Sequence, residues 1–149
     1  MAEKLKVLFL CTGNSCRSQM AEGFARHLIG SSVIAFSAGI EAEGLDPYAV
    51  QVMKEAGIDI SGQHSKTIDE VIGVEFDYCI TLCGGADENC PVFGAKTKII
   101  HKGFDDPPKL AANAKGQEDK ISHYRRIREQ IRKYIETLPT SLKLKSDSN

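Results

Sequence analysis

The sequence has no excess of charge of either sign: 19 Lys and Arg stand against 20 Asp and Glu, for a net charge of −1. That balance excludes a polybasic protein built to hold nucleic acid or a membrane surface. Long apolar runs are also missing. The most apolar stretch, Val7 to Cys11, falls far short of the roughly 18 residues a spanning helix needs. MAEKLK runs into it without a small-residue cleavage site, so neither a membrane span nor a signal peptide is expected. The five cysteines are odd in number and lack the paired spacing of secreted disulfide frameworks, which points to free thiols in a reducing cytoplasm. Repeats and low-complexity linkers are absent. What remains is an ordinary composition, 42% hydrophobic and 26% charged, over 149 residues, enough for one domain with its own core.

The apolar runs are short and alternate with helical patterns. KVLFL at 6–10 reads as a strand ending in a Gly-containing loop. A helix follows with Met20, Ala21, Phe24 and Leu28 on one face and Gly30 as a left-handed cap. VIAFS at 33–37 is a second strand, and Asp46-Pro47 starts a second helix through Val50, Met53 and Ala56 to Gly57. Thr67 and Glu70 have capping-box spacing for a short third helix. Residues 76–82 and 98–101 supply two more strands. Ile121, Tyr124, Ile127, Ile131, Ile135 and Leu138 mark a long final helix. This order predicts an α/β fold, a four-stranded parallel sheet with right-handed crossovers and helices on both faces. Sites in such folds lie at the carboxyl ends of strands. The domain is expected over residues 1–139, with 140–149 as a disordered tail.

At the end of the first strand lies CTGNSCRS, residues 11–18. A loop of this length opening a helix can turn its amides inward, so Thr12, Gly13, Asn14, Ser15, Cys16 and Arg17 form a cradle for a tetrahedral oxyanion. Gly13 and Asn14 tolerate the positive φ such a curl requires. Arg17 can clamp two oxygens with its planar fork. Cys11 sits at the bottom, where amides, helix dipole and guanidinium favour its thiolate as a nucleophile. The Ser18 hydroxyl can stabilise that thiolate and assist its departure. The glycines and lysine of a nucleotide-binding loop are missing.

Cys83 follows the third strand and Cys90 comes after GGADEN. If this segment is helical, the two α-carbons are about 10 Å apart, beyond the roughly 7 Å a disulfide tolerates. Bridging them would require unwinding, which Gly84 and Gly85 make easy. Cys79, mid-strand beside Ile80, reads as core. No metal site is expected, because Cys79, Cys83 and Cys90 lack a CxxC step and His64 and His101 are not suitably spaced.

CTGNSCRSQMAEG at 11–23, FSAGI at 36–40, TLCGGADENCP at 81–91 and GFDDPP at 103–108 together resemble the low-molecular-weight tyrosine phosphatase superfamily, most closely its arsenate reductase branch. The resemblance runs over about residues 5–138. It implies that Cys11 attacks arsenate, that Cys83 attacks the arsenic-bearing sulfur and that Cys90 then takes over the disulfide. Phosphate and sulfate would bind as analogues. Thioredoxin is implied as reductant, with glutaredoxin as the alternative, and no cofactor. Directly before Pro107, Asp106 matches the general acid, with Asp105 as its neighbouring alternative, although Asp-Pro is also an ordinary turn signal. A tyrosine phosphatase would use the same Cys11, Arg17 and Asp106 with no further cysteine. The aromatic residues that would stack on phosphotyrosine are replaced by Pro108, Lys109 and Leu110, which leaves at most a weak phosphatase activity. A non-enzymatic oxyanion or redox sensor is the other alternative.

Some members of that superfamily hold potassium beside the loop with an Asn, a Glu, a Ser and an Asp. Asn14, Glu22 and Ser37 match three of these positions, but Lys66 stands at the fourth. The expectation is a tethered ammonium among Asn14, Glu22 and Ser37 in place of a metal ion.

Overall fold

The computed structural model describes residues 4–82 and 97–147, with side chains through Leu142. Strands β1 (Leu5–Cys11), β2 (Val33–Gly39), β3 (Tyr78–Thr81) and β4 (Lys98–His101) form one parallel sheet in the order β2-β1-β3-β4. β1 is central, which explains its unbroken apolar run: Val7 to Leu10 are buried on both faces of the sheet. Its register pairs Cys11 with Gly39 and Leu10 with Thr81, so the carboxyl ends of three strands meet at one edge. The third strand is shorter than the expected 76–82.

Helix α1 (Arg17–Leu28) starts straight from the β1 loop, and α2 is Pro47–Glu55 with Asp46 as its N-cap. A short α3 (Pro107–Ala111) and a long α4 (Gln117–Asp147) complete the fold. The expected third helix is a single 3-10 turn, Ile68–Glu70, in which Glu70 accepts the Thr67 N–H at 3.2 Å. Met20, Ala21 and Phe24 are buried as their spacing predicts, but Leu28 is 38% exposed and Ile29 takes the inward position instead. On α2 the buried face is rotated to Ala49, Val52 and Met53. Gly30 is not a left-handed cap. Its lack of a side chain serves close packing, since a β-carbon there would lie 2.5 Å from the Arg26 carbonyl.

The apolar stripe of α4 is buried from Ile121 to Leu138, as its periodicity predicts. The helix does not stop there. It passes through Pro139 to Asp147, so the expected tail is helical over 140–147. Leu142, four residues beyond Leu138, is fully buried, and its carbonyl accepts the Tyr78 hydroxyl at 3.0 Å. Burial of that turn offsets the roughly 3 kcal/mol an interior proline costs. Arg125 and Arg128 both reach the Glu55 carboxylate, which joins α4 to the end of α2. Among the described residues no helix is long and apolar enough to cross a membrane.

Candidate active site

Residues 11–18 curl at the carboxyl end of β1 with their carbonyls drawn outward. The carbonyls of Cys11, Thr12, Gly13 and Ser15 accept the N–H groups of Ile40, Glu41, Glu43 and Asp46, at 2.9 to 3.3 Å. A trans peptide sets its N–H opposite its carbonyl, so the concave side presents amides. The start of α1 adds the positive end of its dipole there. Asn14 has φ 48, the left-handed conformation predicted for it. Gly13 does not, and a β-carbon there would meet only the side chain of Glu43, which is exposed and free to swing aside.

Side chains lock the curl from its other flank. The fully buried Gln19 amide donates to the Asn14 carbonyl (3.0 Å), to Asn14 Oδ1 (2.9 Å) and to the His64 carbonyl (3.0 Å). Gln63 donates to Gln19 Oε1 at 2.7 Å, and the Lys66 N–H donates to Asn14 Oδ1 at 2.9 Å. Gln19 and Gln63 were not singled out from the sequence. Their signal was weak, a Gln inside the loop-helix motif and another in a polar stretch.

Cys11 is 2% exposed, with Sγ 2.8 Å from the Ser18 hydroxyl. Asn14 Nδ2 donates to that hydroxyl oxygen at 2.8 Å, so Ser18 can still turn its proton to a Cys11 thiolate. Cys16 is equally buried, and burial first, then the Asp46 carboxylate, pushes its thiol well above its usual pKa. It is therefore held as the neutral thiol. Cys79 is fully buried in β3, as expected. Cys83 and Cys90 lie outside the described residues.

Arg17 closes the site on the third side. Its guanidinium donates to the Phe104 carbonyl at 3.0 Å and lies 3.6 Å from Asp106 Oδ1. Asp106 occupies the N-cap position of α3, yet its side chain makes no capping bond and stays with Arg17. Asp105 is exposed. The Phe104 N–H donates to the Leu82 carbonyl at 2.9 Å, so the end of β3 carries the GFDDPP loop over the cradle.

Lys66 is brought to Glu22, with Nζ 3.8 Å from Oε1, and donates to the His64 carbonyl at 3.0 Å. Ser37 donates to Glu22 at 2.5 Å. Two features differ from the expected arrangement. Asn14 is met by the Lys66 backbone rather than by its ammonium, and Glu22 has a second cation, Arg26, at 2.9 Å.

This geometry has close parallels in known proteins. The chain is 48% identical over 134 residues to an arsenate reductase of Halalkalibacterium halodurans, covering 90% of this chain and 94% of the relative. A solved arsenate reductase in its phosphate-binding state superposes with a TM-score of 0.71 at 34% identity, covering 92% of this chain and 98% of the other. A thioredoxin-dependent arsenate reductase from Corynebacterium glutamicum matches at TM-score 0.69 and 28% identity, over 97% of this chain and 64% of that one. The family model described as low molecular weight phosphotyrosine protein phosphatase matches residues 6–148. With the cysteine loop, its arginine and the parallel sheet in place, the chain belongs to the low molecular weight phosphotyrosine protein phosphatase family.

Proposed function

We propose that this protein is an arsenate reductase in which Cys11 is the nucleophile and Cys83 and Cys90 complete a disulfide relay. The observation that carries the reading is the cradle itself: outward carbonyls at Cys11, Thr12, Gly13 and Ser15 above a cysteine sulfur 2.8 Å from Ser18. Similarity to curated and solved arsenate reductases supports arsenate as the tetrahedral anion it takes, with phosphate or sulfate as analogues.

The Cys11 thiolate attacks arsenic, with the amides of residues 12–17 and Arg17 sharing the anion's charge. One arsenate hydroxyl takes a proton from Asp106 and leaves as water, and a sulfur–arsenic bond forms with arsenic still pentavalent. The Cys83 thiolate then attacks the Cys11 sulfur. The sulfur–arsenic bond breaks with its electron pair passing to arsenic, which leaves as trivalent arsenite, and a Cys11–Cys83 disulfide remains. Cys90 attacks Cys83, releases the Cys11 thiolate and leaves a Cys83–Cys90 disulfide for an external dithiol. Thioredoxin is the dithiol we assign, supported by the thioredoxin-dependent relative, with glutaredoxin as the alternative. The parts given to Cys83 and Cys90 rest on the sequence. Such a cycle suits the cytoplasm, where thiols stay reduced.

Phosphate-ester hydrolysis is a second, weak activity of the same site, because Cys11, Ser18, Arg17 and Asp106 are assembled without any other cysteine. The test is arsenate-dependent NADPH consumption with thioredoxin and thioredoxin reductase, run beside a phosphate-ester assay. Cys11→Ser should abolish both activities. Cys83→Ser should block arsenite release, and Cys90→Ser should block handover to thioredoxin, each ending multiple turnover while ester hydrolysis continues. Arsenate reduction by purified Cys11→Ser protein would overturn the reading, and binding without turnover by the unaltered protein would make it a sensor.

A further inference from the structure

Asp46 joins three parts of the molecule at one residue. Its N–H donates to the Ser15 carbonyl of the oxyanion loop at 2.9 Å. Its Oδ1 accepts the Tyr48 N–H at 2.9 Å and caps α2, while its Oδ2 accepts the Tyr124 hydroxyl at 2.7 Å. Tyr124 belongs to the buried stripe of α4, otherwise formed by Ile and Leu, so its one polar atom is aimed at the carboxylate. The Tyr48 and Tyr124 rings lie 5.3 Å apart and hold the α2 start against α4.

With the Ser15 carbonyl turned to Asp46, the N–H of the same peptide, that of Cys16, faces the concave side of the loop. Removing one partner of a half-buried carboxylate frees it to turn toward water. The cap and the bond to Ser15 then lose their fixed anchor. Burial, then the hydrogen bond it donates to Asp46, raises the Tyr124 phenol far above its usual pKa, so it remains a donor at any working pH.

We propose that Tyr124 is a positioning residue for the oxyanion loop, acting through Asp46 to hold the Ser15–Cys16 peptide with its amide toward the anion. This deepens the oxyanion-loop reading above and rests on it. It makes a residue of the C-terminal helix, which never touches the substrate, part of what sets oxyanion affinity.

The probe is inorganic phosphate, titrated calorimetrically into the reduced full-length protein. Tyr124→Phe should weaken phosphate binding about five-fold and raise the KM for arsenate by a similar factor, with kcat changed less than two-fold. Tyr78→Phe is the control: it deletes a hydroxyl donor to the same helix, at the Leu142 carbonyl, at the opposite end of the sheet. It should lower the melting midpoint comparably and leave phosphate affinity unchanged. Asp46→Ala should weaken binding at least as much as Tyr124→Phe, and the double variant should be no weaker than Asp46→Ala, since both act through one link. Unchanged phosphate affinity in folded Tyr124→Phe, or multiplying losses in the double variant, would overturn the proposal. Absence of phosphate binding by the unaltered protein would overturn the oxyanion-loop reading and this proposal with it.

Discussion

The oxyanion loop is held from two flanks, and the two flanks hold it by different means. Residues 40–46 act through their main chain: four N–H groups take four loop carbonyls, and the side chains of Ile40, Glu41 and Glu43 have no part in those bonds. Residues 63–66 meet chiefly side chains of the loop and of α1, with Gln63 on Gln19 and the His64 carbonyl and Lys66 N–H on Gln19 and Asn14, and add side-chain bonds from Ser65 to the Gly13 carbonyl and from Gln63 to the Gln19 carbonyl. The first flank fixes where the carbonyls go and therefore where the amides point. The second fixes the left-handed Asn14, whose amide in turn holds Ser18 beside Cys11. A main-chain clamp tolerates most substitutions and fails only where backbone approach is blocked. A side-chain clamp fails wherever one of its amides is removed.

The largest effect should come from blocking the main-chain flank at its origin. Gly39 ends β2, and a β-carbon there would lie 2.5 Å from the Glu41 carbonyl, 2.7 Å from Asn14 N and 2.8 Å from the Thr12 carbonyl. All three are backbone atoms, so relief requires the flank and the loop to separate. Gly39→Ala should cost about 3 kcal/mol of stability, at the upper end of overpacking. Phosphate binding should be lost in calorimetry even where the protein remains folded. If Gly39→Ala bound phosphate normally, the loop would not depend on this flank. Breaking the side-chain flank should cost less. Gln19→Ala leaves the Asn14 carbonyl without its buried donor, whereas the His64 carbonyl keeps Lys66 Nζ and Asn14 Oδ1 keeps the Lys66 N–H. A loss of about 2 kcal/mol in denaturant unfolding is expected. Arsenate KM should rise as Asn14 loosens, whereas an unchanged KM would confine Gln19 to stability.

The same contrast explains what could be read from the chain alone. Strand and helix order, the parallel sheet and the α4 stripe followed from apolar periodicity, because burial acts on side-chain type. The Cys11–Ser18 loop was legible because the φ of Asn14 and the charge of Arg17 are written in residue identity. The 40–46 flank was not, since any residue but proline offers an N–H. Gly13 and Gly30 suggest positive φ by residue type, but neither adopts it, and at Gly30 it is the Arg26 carbonyl that excludes a side chain. The helix reaches past its expected end because Pro139 and the polar residues after it mask Leu142, the one buried position that continues the stripe. By spacing Tyr124 is one more apolar position, and its hydroxyl's partner lies 78 residues away in sequence.

The smallest expected effect concerns Lys66, whose backbone belongs to the side-chain flank and whose ammonium touches that flank only at the His64 carbonyl. We propose that this ammonium replaces the potassium ion that the family resemblance would place at Glu22. Glu22 is nearly fully buried, accepts Ser37 and faces both Lys66 and Arg26, so its charge is already compensated by resident cations. Burial lowers the Lys66 pKa from 10.5, and Glu22 opposes that shift while Arg26 adds to it. With the folded pKa below the unfolded one, the cost of the buried charge is fully present at neutral pH. It is relieved as pH rises through the folded pKa toward 10.5, so stability gains there. Lys66→Met should flatten that alkaline gain in melting midpoint. Exchange of potassium for sodium or choline at fixed ionic strength should leave the reduction rate of the unaltered protein unchanged. Lys66→Asp should respond to potassium, and adding Arg26→Gln should enlarge the response, because Arg26 still neutralises Glu22 in the single variant. Strong potassium activation of the unaltered protein would mean that the ion displaces the ammonium, and the tethered charge would then be the wrong account of Lys66.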